Sequence, residues 1–400
     1  MARVSQIAFG FGLSLVFSSA LAAPRVPGAD TEVLEKLPMR AIDTRSRSLV
    51  ELRAAVARAP TDPTSATLLA QQYFDLAMAN GDPRYVGYAE AVVSRFTNAM
   101  PASMRVVRAQ LWQYRHHFEE ALAELAQALA MDPGLALAHA WRAAIYLVQA
   151  NYSAARNECD SLQRLGRNSM SGGCMGLLQA YGGQLDAGYA SLQQALKATA
   201  ADDNRLWLLT RLGEVATWRG NPQQAARHFR DALALGKDDG YLLAAWSDFL
   251  LDQGQPAEVI RLLANWEASD GLLLRLAEAE TALKLPAAKK HVQMVEDRFD
   301  AARLRGDTTH RAEEARFRLR LRNDAPAAVR LALDNYRVQR EPRDARILLE
   351  ASIAAGDPAS AQMARDWLAS SGFEDPRLRQ LGVTSARQRP ATEAVRERRP

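Results

Sequence analysis

The side chains best suited to chemistry in this 400-residue chain are six histidines and two cysteines. His116 and His117 are adjacent in a turn, and His139 opens the following helix, so the three have a route to one metal ion. No carboxylate or cysteine cluster completes that set, and the spacing specifies no metal site. Cys174 stands in "SGGCMG" at a helix start, where the helix dipole lowers a thiol pKa. No histidine is placed by sequence to serve as its base. The chain has no HExxH, no CxxC, and, once the leader is set aside, no GxSxG or phosphate-binding loop. These residues therefore point to no catalytic group, no cofactor and no metal, and favour binding and structural function classes over an enzyme.

The elements that position these residues are helices. Apolar residues make up 48% of the chain and aromatics 7%. Val, Ile and Thr form no alternating runs, which favours helix over sheet. The stretch "LGEVATWRGNPQQAARHFRDAL", Leu212–Leu233, shows the unit. One helix is expected over about 204–218 and a second over about 222–235. Between them "RGNP" stops one and starts the next: Gly220 takes the left-handed conformation, Asn221 caps, and Pro222 suits the first turn. A shift of 34 residues maps Gly220 to Gly254, Gly213 to Ser247 and Phe229 to Leu263. The same shift maps Ala109 to Ala143, Trp112 to Tyr146, Ala121 to Ala155, Leu125 to Cys159 and Ala128 to Leu162. Matches at one spacing mark an internal repeat. Gly213 and Ala225 or Ala226 are expected to let two helix backbones approach, with Phe229 filling the gap where they diverge. A large side chain there would cost ~1–3 kcal/mol by overpacking.

These units resemble the tetratricopeptide repeat family. Leu212-Gly213, Gly220, Ala225, Phe229 and Ala232 carry the likeness in one unit, and Ala109, Trp112, Ala121, Leu125, Ala128 and Pro133 in another. The pattern is looser over 168–201 and 240–269, decays on either side, and covers roughly four-fifths of the chain. The resemblance implies an all-α, right-handed superhelical α-solenoid of about eight helix-turn-helix units, with first helices lining a concave face. A single helix near 48–58 precedes them. The chain is also similar to exported bacterial repeat proteins without an assigned activity.

Both ends read differently. Arg3, the apolar "IAFGFGLSLVF" and the small-x-small Ala20-Leu21-Ala22 form an export leader over 1–22, cut after Ala22 rather than after Ala23, because Pro24 would hinder the peptidase. The expected location is a bacterial periplasm. A linker is expected over 23–47, one solenoid over 48–372, and an Arg-rich disordered tail over 373–400. No later segment is apolar enough to cross a membrane. The formal charge is +4. Without Arg3 and the excess of five cations over residues 376–400, the rest carries about −2, so no nucleic-acid partner is expected.

Cys159 and Cys174 fall on neighbouring helices of consecutive units. In an oxidising compartment they pair as a disulfide; otherwise they serve as small buried hydrophobes. Closing that loop is worth ~3 kcal/mol in the chain-entropy model. By helical spacing, Tyr114, Tyr181, Trp207, Thr210, Glu214, Trp218, Tyr241 and Asp248 project into the concave groove. Exposed aromatics among polar groups suit an extended peptide or a partner helix. Trp207 and Tyr241 have a second reading, packing on the preceding unit. The function expected is a non-enzymatic scaffold or adaptor holding a protein or peptide, in envelope or export-machine assembly. The rival readings are a spacer or oligomerisation element acting through its ends and basic tail, and an enzyme with an unrecognised site.

Overall fold

The computed structural model describes residues 44–97 and 100–387. The leader and its cleavage site, the linker up to residue 43, and residues 388–400 of the basic tail lie outside the described residues. Over the described residues from Ser48 to Arg387 the chain forms one compact body. Among the described residues there are twenty α-helices and no strand.

A first helix, α1 (Thr44–Arg58), precedes nine helical hairpins, one more than the sequence pattern counts. They are α2 (Pro63–Asn80) with α3 (Arg84–Val93), α4 (Ala102–Tyr114) with α5 (Phe118–Met131), and α6 (Ala136–Val148) with α7 (Tyr152–Arg164). Next come α8 (Asn168–Tyr181) with α9 (Leu185–Lys197), α10 (Asp202–Trp218) with α11 (Pro222–Leu233), and α12 (Gly240–Asp252) with α13 (Pro256–Leu263). The last three are α14 (Asp270–Ala282) with α15 (Ala287–Leu304), α16 (Arg311–Arg320) with α17 (Ala325–Tyr336), and α18 (Pro342–Ala355) with α19 (Gln362–Ser371). A single helix, α20 (Pro376–Arg387), follows.

Local chemistry sets the hairpins. Between α10 and α11, Gly220 sits at φ +71°, and the Asn221 side chain accepts from the Gln224 amide at 3.1 Å. Ala109, Ala121, Ala128, Ala143, Ala155, Ala225 and Phe229 are all buried, as the repeat requires. Gly213 admits the Phe229 ring instead of a neighbouring backbone: a Cβ there would lie 2.7 Å from Phe229 Cε1. Gly220 and Gly254 do no packing, since no atom lies within 4 Å of a Cβ added at either. Their task is the left-handed turn. Backbone-to-backbone closeness occurs instead between α8 and α9, where a Cβ on Gly188 would come 2.5 Å from the Gly176 carbonyl oxygen.

The stack winds back on itself. α12 packs on α2 as well as on its chain neighbours, and Gly240 abuts the Met78 carbonyl, which a Cβ on Gly240 would approach to 3.0 Å. The rear hairpins then run along the ends of the front ones. The Arg340 amide donates to the Val148 carbonyl at 2.7 Å, and the Leu185 amide to Glu374 Oε2 at 2.8 Å. The expectation of a disordered tail from residue 373 is corrected here. Phe373 is fully buried, and Leu378 and Ser385 of α20 are buried too. α20 packs on α18, because its apolar residues recur at helical spacing despite the arginines around them.

Candidate functional site

Four first helices of the rear half present paired charged side chains one turn apart. α12 supplies Asp248 and Asp252, α14 Arg275 and Glu278, α16 Arg316 and Arg320, and α18 Arg346 and Glu350. They join in one alternating ladder. Asp248 is held by Arg275 at 2.7 Å and by Arg316 at 2.6 Å. Arg316 continues to Glu278 at 2.7 Å, and Glu278 to Arg320 at 3.4 Å. Arg320 reaches Glu350 at 2.8 Å, and Glu350 reaches Arg346 at 2.6 Å. Arg346 meets Asp252 at 2.6 Å, and Arg377 of α20 closes the series on Asp252 at 3.0 Å. Burial works to raise the Asp248 pKa, but Arg275 and Arg316 outweigh it and hold the carboxyl well below the usual range. An ion ladder of this kind fixes the register of four helices, because removing one rung leaves a desolvated charge without a partner.

Aromatics of α8, α10 and the start of α12 line the same interior. Arg211 of α10 lies 4.3 Å over the Tyr241 ring and donates to Glu214 at 2.9 Å and to the Tyr241 hydroxyl at 2.5 Å. Tyr241 donates in turn to Glu214 at 2.7 Å. Tyr181, 3% exposed, donates to Glu341, the residue that caps α18, at 3.3 Å. Its ring stands 5.8 Å from Trp218, and Trp218 meets Phe373 edge-on at 5.4 Å. Beneath the start of α18, Asp344 accepts from the Glu341 amide at 3.0 Å and from Asn335 at 2.9 Å. Burial, with Glu341 beside it, pushes the Asp344 pKa up to about 7 despite Arg343.

The eight residues expected in an open groove therefore divide. Tyr181, Trp218, Glu214, Tyr241 and Asp248 do face inward, but the chain's own side chains meet them there. Thr210 is 2% exposed and spends its hydroxyl on the Leu206 carbonyl of its own helix at 2.8 Å. It is a correction to the groove set: at its helical angle the side chain packs inside. Tyr114 is half-buried, and burial pushes its phenol up to about 12. Trp207 is the one of the eight left open, at 37% exposure. Its indole lies on α8, where a Cβ on Gly173 would come 2.4 Å from its Cζ3, and Arg211 stands 5.9 Å from its ring centre. Trp207 thus packs one edge on the preceding hairpin while about a third of its surface stays open.

Cys159 and Cys174 are bonded, with Cα atoms 5.6 Å apart, and staple α7 to α8. The histidines are not brought together. His116 faces Gln339 at 3.0 Å, and burial moves its pKa down to about 4. His139 turns to Glu158 at 2.6 Å. Among the described residues no group of three acidic, histidine or cysteine side chains is arranged to hold a metal ion. No helix of the described residues is long and apolar enough to cross a membrane. A cleft of about 540 Å³ opens where the α17–α18 connection crosses the front turns; His116, His117, Glu119, Gln149, Asn151 and Arg340 are among its lining residues.

Sequence reasoning missed Arg211 and every ladder residue except Asp248. The only signal is "RFRLR", which puts Arg316 and Arg320 on one helical face. It also missed a charge repeat that does keep the 34-residue period. Arg105 and Arg108 clasp Glu124, and His139 and Arg142 clasp Glu158, position for position.

No family model matches the chain, and no curated protein does. Among solved structures it is similar to a tetratricopeptide repeat protein from Parabacteroides merdae ATCC 43184, at 15% identity and a TM-score of 0.40, over 63% of this chain and 92% of that one. It is similar to the APC/C hetero-tetramer Cut9-Hcn1 at 15% identity and a TM-score of 0.40, over 77% and 52%. It is similar to yeast Tom70 at 14% identity and a TM-score of 0.36, over 84% and 61%. The overlap is partial in each case, and the repeat architecture of this chain rests on its own hairpins.

Proposed function

We propose that this chain is a non-enzymatic scaffold, exported to a bacterial periplasm, that binds a protein or peptide partner on the inner rim of its hairpin stack. The leader pattern over residues 1–22 supports the location, and assembly of an envelope or export machine is the setting it fits. The observation that carries the binding reading is Trp207. A large indole, 37% exposed, is held with its Cζ3–Cη2 edge against a glycine of the neighbouring helix, so it is positioned before any partner arrives. Rigid aromatics with an apolar face and little entropy to lose dominate recognition surfaces.

The test is photo-crosslinking in the exported chain. A photoreactive residue in place of Trp207 yields discrete adducts, whereas one in place of Leu304, 89% exposed on α15, yields none. Equal or absent adducts at both sites would contradict the reading. The spacer alternative predicts instead that deleting residues 388–400 abolishes association while changes at Trp207 do nothing.

A further inference from the structure

Residues 337–341, which link α17 to α18, form a strap across the front turns. Val338 packs on the apolar cluster around Phe118. The Gln339 side-chain amide meets His116 at 3.0 Å. The Arg340 amide donates to the Val148 carbonyl at 2.7 Å, and Glu341 accepts from Tyr181 at 3.3 Å. Successive residues of the strap thus hold the rear of the molecule to the front, mostly through polar contacts.

One of these contacts depends on a proton. The Gln339 atom at His116 is the amide nitrogen, which donates, so the ring nitrogen facing it, Nε2, must accept. An imidazole accepts there only when it is neutral and carries its proton on Nδ1. His139 and His291 are placed differently. Each faces a carboxylate, Glu158 at 2.6 Å and Glu280 at 2.7 Å, and a positive ring keeps such a partner. His116 also occupies, at φ +61°, the left-handed turn position that Gly220 and Gly254 hold in later hairpins. Glycine would make that turn without strain, so the turn itself does not call for an imidazole.

The surroundings favour the neutral ring. Burial is the largest influence on it and moves its pKa down to about 4. Glu313 of α16 and Glu341 draw a proton towards the ring, whereas Arg343 of α18 and His310 at the cap of α16 repel one. Glu119 and Glu120 of α5, with Arg337 and Arg340 of the strap, line the cleft beside it. Arg115 and His117 flank it in sequence.

We propose that residues 337–341 are an acid-released strap with His116 as its catch: a proton added at Nε2 takes the lone pair that Gln339 uses, the strap lifts from the front turns, and the interior behind Tyr181 opens. Lifting the strap returns the ring to water and to its ordinary value of 6.5. Closure is therefore complete above 6.5 and weakens, by up to about tenfold per pH unit, as pH falls towards about 4. Asp344 titrates as well, but its partners, the Glu341 amide and Asn335, belong to the α17–α18 hairpin and travel with the strap.

Hydrogen exchange on the full chain reads the strap through the Arg340 amide, whose acceptor lies across the seam. From about pH 6.5 down to about pH 4.5, after correction for intrinsic exchange, its opening constant is expected to rise at least tenfold. In His116→Asn, which cannot take the proton and is at home in a left-handed turn, the rise is expected to vanish. A profile in the unaltered chain no steeper than the variant's overturns the proposal. So does an Arg340 opening constant equal, at the acid end, to that of Leu212–Val215 in α10, because the strap would then leave only when the body unfolds. Should the variant not fold, nitrogen NMR of the unaltered chain decides. At about pH 6.5 the His116 ring is expected to be neutral with its proton on Nδ1; an imidazolium there, or a proton on Nε2, overturns the proposal.

Discussion

The front hairpins, α4 to α11, and the rear ones, α12 to α20, solve one problem by different means. In front, small residues and one large ring make a dry seam. Gly213 gives way to Phe229, and Ala225 and Ala232 are fully buried around it. At the rear, first helices are joined across the interior by an Arg–carboxylate ladder from Arg275 to Arg377. Apolar burial is non-directional and tolerates a gentle superhelical curve. A ladder of paired charges fixes both distance and register, since a rung displaced by one turn leaves a buried charge unpaired. The difference teaches that the front of this molecule is a repeat stack, and the rear is a clamp that closes on it.

The comparison is broken most severely at Phe229. Phe229→Ala opens a cavity in the front seam and costs ~3–5 kcal/mol, read by denaturant midpoint, with little dependence on pH. Asp248→Asn at the rear removes the negative charge between Arg275 and Arg316 and costs ~3 kcal/mol at neutral pH, since it leaves Arg275 without its counter-charge and Arg316 with Glu278 alone. The sign with pH is set by the depressed Asp248 pKa. The stabilisation is present above the ordinary carboxylate value of 3.8 and is lost as pH falls below it. The variant and the unaltered chain should therefore converge in strong acid, and a gap that persists there would refute the ladder's role.

Asp344 sharpens the contrast with the opposite sign. Its pKa is raised to about 7 from 3.8, so the folded state holds a proton that the unfolded state has lost. Stability then declines as pH rises from about 4 to about 7 and stays at the lower value above. Asp344→Asn cannot ionise and should flatten that slope by ~1–2 kcal/mol in urea melts across the pH range. The smallest effect is expected at the front turns. Ala150 occupies the left-handed position, at φ +58°, that Gly220 and Gly254 occupy elsewhere. Ala150→Gly should raise the stability of the chain by ~1 kcal/mol; a loss would show that the turn is held by contacts and not by backbone strain.

The hairpin, its period and the staple between Cys159 and Cys174 were legible in the sequence because each depends on residues within one or two units. The helix over Asp202–Trp218 begins two residues before the expected start, and Pro222–Leu233 ends two residues before the expected end. Such shifts are ordinary where ends fray. Closure was not legible. It depends on pairs such as Asp252 with Arg346, 94 residues apart, and Tyr181 with Glu341, 160 apart, and neither separation is a multiple of the period. Trp218 meets Phe373 and Tyr241 meets Arg211, and nothing in a 34-residue pattern says that those partners will be waiting there. α20 was obscured for a related reason: seven arginines dominate the composition of the last 25 residues and mask an apolar stripe of only a few side chains.

The central claim is that the rear hairpins close over the front ones. The most direct test is a spin-label distance measurement on the full chain. One label replaces Glu119 in the first turn of α5 and the other replaces Arg337 after α17; both line the same cleft. Closure predicts a single, narrow, short-distance peak in dilute solution. A broad distribution centred at long distance, with helicity intact, would show an open solenoid and contradict the account.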